Sequence, residues 1–203
     1  MPRDKTQTHQ RVLEAAKYEF LEKGFEKTSI RDIAKRAGIT SPGLYRHCKD
    51  KEDLFCKVVE PGIHALSKWM NQHIKTSYEQ VENHSFSGIH MQSEIEMMRE
   101  AVIPYAEEFV LLLNCSGGTK YENFLHDMVK DHEEKFWQAL QVIKDSGYKV
   151  KDVSREELHI IISAYMTALF EPIVHGYERN QIEHYLDTVE EFFMPGWKGI
   201  LGI

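Results

Sequence analysis

The chain has 203 residues, 42% of them hydrophobic and 28% charged, a make-up ordinary for a soluble globular protein and long enough for one large domain or a small one joined to a larger one. No run of about 18 apolar residues is apparent, so no membrane-spanning helix is expected, and Met1–Gln7 lacks the apolar core of a secretory signal. Three cysteines (Cys48, Cys56, Cys115) are odd in number and lack metal-ligand spacing, which suits a reducing compartment and makes a cytoplasmic location the expectation. The net charge of −7 is unevenly spread: residues 1–51 hold twelve Lys/Arg against seven Asp/Glu, and the remainder thirteen against twenty-five. A basic head of net +5 on an acidic body of net −12 has the polarity of a polyanion-binding module joined to a separate regulatory domain.

Apolar residues recur at helical rather than alternating spacing throughout, and long β-branched runs between tight turns are absent, which predicts an all-α fold of about nine helices. A first helix is expected from about Thr6 to Lys23, with Gly24 ending it. Thr28 or Ser29 caps a short second helix whose inward face is Ile30, Ile33, Ala34 and Ala37, and Gly38 breaks it. Thr40 and Ser41 cap a short third helix with Pro42 in its first turn, ending near Cys48. A fourth helix should cover about 51–78, bent or interrupted at Pro61-Gly62. A loop at 80–88, a fifth helix over about 90–107 and a sixth over 108–114 follow. Thr119 and Glu122 read as the capping box of a seventh helix reaching Asp145, and Ser154 and Glu157 as that of an eighth, running to about Tyr177 with a kink at Pro172. A ninth covers about 181–194 and stops at Pro195-Gly196.

Two short helices joined through a central glycine have the geometry of a helix-turn-helix. In the segment from Thr28 to Lys51, Ile33, Ala34, Ile39 and Leu44 would pin the crossing, and Ala34 and Ala37 would let the helices approach closely. The third helix then turns Ser41, Pro42, Gly43, Tyr45, Arg46 and His47 outward, hydroxyl, amide and cationic groups that reach phosphates and base edges. Its exposed start, at Thr40 and Ser41, adds backbone N–H groups for phosphate oxygens.

These residues resemble the DNA-binding domain of the TetR (tetracycline-repressor-like) family, on Thr28, Ile33-Ala34, Ala37-Gly38-Ile39, Gly43, Leu44-Tyr45, His47, Lys51 and Leu54. Cys48 departs from the family pattern, which has an aromatic residue there. The resemblance implies a helix-turn-helix domain over 1–51 and a ligand-binding and dimerisation domain over 52–203. It also implies that Tyr45, His47 and Lys51, with the backbone from Thr28 through Ser29 to Ile30, clamp phosphates of double-stranded DNA. Ser41, Pro42, Gly43 and Arg46 would face base edges, and Arg31 a base or a phosphate. Arg46 is the candidate for guanine readout, because its guanidinium can donate to O6 and N7 together.

Family members are homodimers on pseudo-palindromic sites, paired through their last two helices. Here the eighth helix is apolar on more than one side, so Leu158, Ile161, Ile162, Tyr165, Leu169 and Ile173, with Ile182, Tyr185, Leu186, Val189 and Phe193 of the ninth, are the candidate interface. The family layout also implies a small-molecule effector, for which Trp69, Met70, His73, Met91, Ile95, Met98, Phe109, Leu112, Tyr121, Phe124 and Met128 are the candidate lining; the effector's class is not readable. His126 and His132 are six apart where helical metal pairs want three or four, Ser116–Lys120 lacks the full phosphate-loop pattern, and nothing beside Cys115 argues for a reactive thiol. No catalytic site, metal site or cofactor is expected, and the chain is not expected to be an enzyme. The sequence therefore points to a DNA-binding regulator, a repressor released by a ligand. The alternative of the same fold is a DNA-binding protein without a ligand, controlled by a protein partner or acting as an activator or nucleoid-associated binder.

Overall fold

The computed structural model describes residues 5–82 and 91–202, with the side chains of Lys5, 73–82 and 91–93 outside the description. All elements among the described residues are helical: α1 Lys5–Lys27, α2 Ile30–Arg36, α3 Ser41–Leu44, α4 Lys51–Glu82, α5 Met91–Met97, α6 Ala106–Asn114, α7 Phe124–Asp145, α8 Arg155–Val174 and α9 Arg179–Leu201. One compact unit comprises Met1–His64 and Tyr105–Glu122, a second Ala65–Pro104 and Asn123–Ile203. The division at 51/52 read from sequence coincides with the start of α4, whereas these units divide that helix itself.

The first unit is built on Val12, Ala16 and Phe20 of α1, Ile33 of α2, Leu44 of α3 and Leu54 and Phe55 of α4, all buried. Phe55 sets its ring edge-on to Phe20 at 5.1 Å and to Phe25 at 5.5 Å, a geometry favoured by the ring quadrupoles. Helix α6 belongs here for two reasons visible in its residues. Phe109, Leu111 and Leu112 are buried apolar side chains, and Lys17 of α1 pairs with Glu107 at 2.5 Å and Glu108 at 3.2 Å. Pro61-Gly62 does not interrupt α4. Gly62 instead admits α6: a side chain there would meet Glu108 Cβ at 3.0 Å and the Phe109 ring at 3.4 Å.

The second unit packs α8 between α7 and α9, with α5 on α9. Phe136, Leu140, Leu158, Ile162, Tyr165, Leu169, Phe170, Leu186 and Trp197 are buried. Glu133 of α7 accepts from Arg155 Nε at 2.8 Å and lies 2.7 Å from His159 Nδ1; the hydrogen bonds from these two groups hold its carboxyl below the usual range. Ser154 and Glu157 form the capping box expected for α8.

Other sequence expectations change as well. The helix expected over 90–107 is α5, then a π-helical turn at Met98–Val102 and a 3₁₀ turn at Ile103–Tyr105, with Pro104 in the last of these; the loop placed at 80–88 lies mostly outside the described residues. Thr119 does not cap α7. Its hydroxyl donates to Ser116 O at 2.7 Å within the connector, and α7 starts at Phe124. Helix α9 runs through Pro195-Gly196 to Leu201 because Trp197, Ile200 and Leu201 beyond them are buried. Finally, α8 is long and apolar enough, by length and composition, to cross a membrane, although 44% of that stretch is buried inside the protein.

Candidate nucleic-acid interface

The helix-turn-helix is assembled by polar groups that satisfy one another. Gly24 ends the regular part of α1 with φ 73° and ψ 165°, a combination open essentially to glycine alone. Thr28 is buried, its single hydroxyl proton shared between Gly24 O at 2.7 Å and Glu19 O at 2.9 Å. Ser29 rather than Thr28 is therefore the cap of α2, accepting from Asp32 N–H at 3.1 Å. Gly38, at φ 67°, turns the chain toward α3, and Thr40 caps α3 by accepting from Gly43 N–H at 3.2 Å. Glu19, buried in α1, holds α2 through Arg36 Nε at 2.6 Å and accepts Lys23 at 2.7 Å; these two cations keep its carboxyl below the usual range. Arg36 also lies over the Tyr18 ring at 3.5 Å.

What this packing leaves on the surface is the recognition set. Arg31, Thr40, Pro42, Tyr45 and Arg46 are exposed, Ser41, Gly43 and His47 half-buried, while Leu44 and Cys48 between them are buried. Tyr45, at 54% exposure, is a large apolar ring turned to solvent. A groove of about 660 Å³ between α2 and the start of α3 is lined by Arg31, Lys35, Thr40 and Ser41, with Asp32, Ala34 and Ile39; Lys35 is a surface cation to which the sequence gave no role. The His47 ring is stacked on that of His9, centroids 5.5 Å apart, a partner far upstream that no local spacing could have shown.

One side chain of the expected set turns elsewhere; at Thr28 the expectation was of the backbone, and its side chain faces inward as described. Lys51 turns its ammonium to Phe25 O (2.7 Å), Thr28 O (3.0 Å) and Glu26 O (3.2 Å), over the Phe25 ring at 4.2 Å. It thus closes the α1–α2 turn, where carbonyls released by the end of α1 need donors, and its protons are directed inward rather than to a phosphate. Burial pushes the thiols of Cys48, Cys56 and Cys115 up.

The candidate effector-lining residues divide between the two units. Phe109, Leu112 and Tyr121 are in the first, and Trp69, Met70, Ile95, Met98, Phe124 and Met128 in the second. Ile95, Met98, Phe109 and Leu112 are fully buried, Trp69 donates its indole N–H to Glu100 at 3.1 Å, and the side chains of His73 and Met91 lie outside the described residues. Of the candidate interface, Leu158, Ile162, Tyr165, Leu169, Ile173, Ile182, Leu186 and Val189 are buried inside their own chain, so they fill its core and cannot face a partner. Ile161, Tyr185 and Phe193 remain half-exposed, Phe192 is 76% exposed, and Ile160, which the sequence did not single out, is 67% exposed. Among the described residues no group of three or more His, Cys, Asp or Glu gathers to hold a metal ion.

Residues 12–58 match the family model described as bacterial regulatory proteins, tetR family. Over 199 residues the chain is 28% identical to an HTH-type transcriptional regulator of Staphylococcus aureus (strain bovine RF122 / ET3-1), covering 89% of this chain and 100% of the relative. Over 54 residues it is 43% identical to the HTH-type transcriptional regulator AcrR of Shigella flexneri, covering 27% of this chain and 25% of AcrR. Among solved structures, a TetR-like transcriptional regulator from Rhodococcus sp. RHA1 is similar in fold at TM-score 0.52 and 18% identity, covering 100% of both chains. NalD of Pseudomonas aeruginosa, described as the secondary repressor of the MexAB-OprM multidrug efflux pump, gives TM-score 0.51 at 21% identity, covering 97% of this chain and 98% of NalD. Residues 12–58 thus carry a helix-turn-helix of the tetR family type, and over most of its length the chain is similar to HTH-type transcriptional regulators.

Proposed function

We propose that this protein is a homodimeric, sequence-specific repressor that acts in the cytoplasm and is released from its operator by a small molecule. The observation that carries the DNA-reading part is the surface left by the helix-turn-helix, where Tyr45 and Arg46 stand exposed beside Pro42 while Leu44 and Cys48 anchor the segment. Tyr45 and His47 serve as phosphate contacts, and Arg46, with Ser41, Pro42 and Gly43, meets base edges. Arg31 and Lys35 face the flanking backbone across their groove.

One such segment reads few bases, so two copies on successive major grooves, about 34–36 Å apart, supply the specificity. The pairing surface is the outward side of α8 and α9: Ile160, Ile161, Ala164 and Ala168 with Tyr185 and Phe192, which remain at least partly exposed. Small residues among large ones let helices of two copies approach closely. Repression follows the sense given for NalD, whose fold is similar. An effector held by the second unit weakens operator binding only through its preference for the DNA-incompetent state, typically about 1–3 kcal/mol. Selection of bound duplexes from a random pool, at stated salt, tests the reading. An enriched inverted repeat is expected, whereas salt-sensitive binding with no enriched sequence would overturn it.

A further inference from the structure

We propose that the first turns of α1 are part of the DNA-binding surface, with Thr8 contacting a backbone phosphate and His9 positioning His47 for the same phosphate. This inference rests on the DNA-binding reading above and adds to it residues outside the 12–58 stretch that the family model matches. A groove of about 570 Å³ runs between Thr8 of α1 and the turn and recognition segment, where Gly38, Ile39, Thr40, Gly43, Arg46 and His47 line it. No carboxylate is among these residues; hydroxyls, a guanidinium and an imidazole make a lining for an anion. It differs in this from the groove lined by Arg31, Lys35 and Ser41, which Asp32 shares.

The polar groups are held from behind. His47 N–H donates to Leu44 O at 2.8 Å, and His47 O accepts from Lys57 at 2.9 Å, so its backbone is anchored on both sides. The ring is then set by His9, stacked at an interplanar angle of 23°. Thr40 Oγ accepts from Gly43 N–H, which leaves its own proton to donate to an anion. Gly43 protects that arrangement, since a Cβ there would come within 3.1 Å of Thr40 Oγ. The groove is next to Arg46, the candidate base-reading residue, so a phosphate of the duplex that Arg46 reads is the anion that fits.

The test uses the full chain with Thr8→Val, Thr8→Ser, His9→Ala and His9→Phe. Affinity is measured for the duplex enriched by selection and for an unrelated duplex, with ethylation interference along the backbone. Thr8→Val should weaken both duplexes alike, by about tenfold, the loss of one hydrogen bond to a charged group, and one phosphate per half-site should lose its interference signal. Thr8→Ser, which keeps the hydroxyl, should bind as the unaltered chain does. His9→Ala should weaken binding and His9→Phe restore it, because the ring stack and not the imidazole is what His9 supplies. Thr8→Val and His9→Ala variants that bind as tightly as the unaltered chain, with the same interference pattern, overturn the inference while the DNA reading stands. If the unaltered chain binds no duplex, both fall. If inorganic phosphate raises the melting temperature of the unaltered chain but not of Thr8→Val, with interference unchanged, the groove is a site for a free anion and not for DNA.

Discussion

Lys51 and Arg46 are both cations of the same helix-turn-helix, yet their surroundings set them different work. Lys51 has three backbone carbonyls within 3.2 Å, so Lys51→Ala should cost folding stability, about 1–3 kcal/mol for the donors lost to the α1–α2 turn. The slope of log affinity against log salt should stay unchanged, because no phosphate contact is removed. A flattened slope with an unchanged melting temperature would return Lys51 to the DNA face. Arg46 is exposed, and Arg46→Ala should relax preference at one base pair per half-site by about 1–3 kcal/mol. Binding to a set of singly substituted operators reads this directly, and an unaltered preferred sequence would make Arg46 a backbone contact. The motif spacing located Arg46 in a recognition segment, but it could not show where the Lys51 side chain turns, since its partners lie more than twenty residues upstream.

Between helices, the join of α1 to α2 rests on Glu19 and Gly24. The Glu19 carboxyl is held below its usual range by the hydrogen bonds of Lys23 and Arg36. A carboxylate lowered in the folded state binds protons less readily than in the unfolded chain. Its contribution is therefore complete above the ordinary carboxylate range and is lost as pH falls through the lowered folded-state value. Thermal melting of the Glu19→Gln variant should accordingly start lower at neutral pH, and the gap to the unaltered chain should narrow on acidification. A gap that is constant with pH would mean the carboxylate charge adds nothing. Gly24→Ala should cost about 1–3 kcal/mol from backbone strain alone, because nothing lies within 4 Å of the position a Cβ would take. The glycine signal itself was legible in the sequence. The opposite lesson comes from Pro195-Gly196, whose local preference to stop a helix is outweighed by burial of Trp197, Ile200 and Leu201.

For the molecule as a whole, the central prediction is its oligomeric state. Ile160→Glu together with Phe192→Glu should give a folded monomer by sedimentation, with much weakened binding to an inverted repeat and little change on a single half-site. Both side chains are exposed in the single chain, so the charges enter no core. Leu158→Glu should instead abolish folding, because Leu158 is fully buried and an unpaired charge there has no compensation. A double variant that stays dimeric would move the pairing surface away from α8 and α9.

Helical periodicity, the Ser154–Glu157 box, the Gly24 and Gly38 breaks and the motif from Thr28 to Lys51 were enough, read along the chain, to determine an all-helical protein with a DNA-binding helix-turn-helix. They act over a turn or two of backbone, a range at which neighbours in sequence are neighbours in space. Which side of α8 is core, where the Lys51 ammonium turns, why α6 joins the N-terminal helices, and the stacking of His9 on His47 were decided only by the tertiary structure. An apolar residue on an all-round apolar helix, or a cation on a long flexible stem, is equally at home on several faces. Only the packing of segments distant in sequence chooses among them.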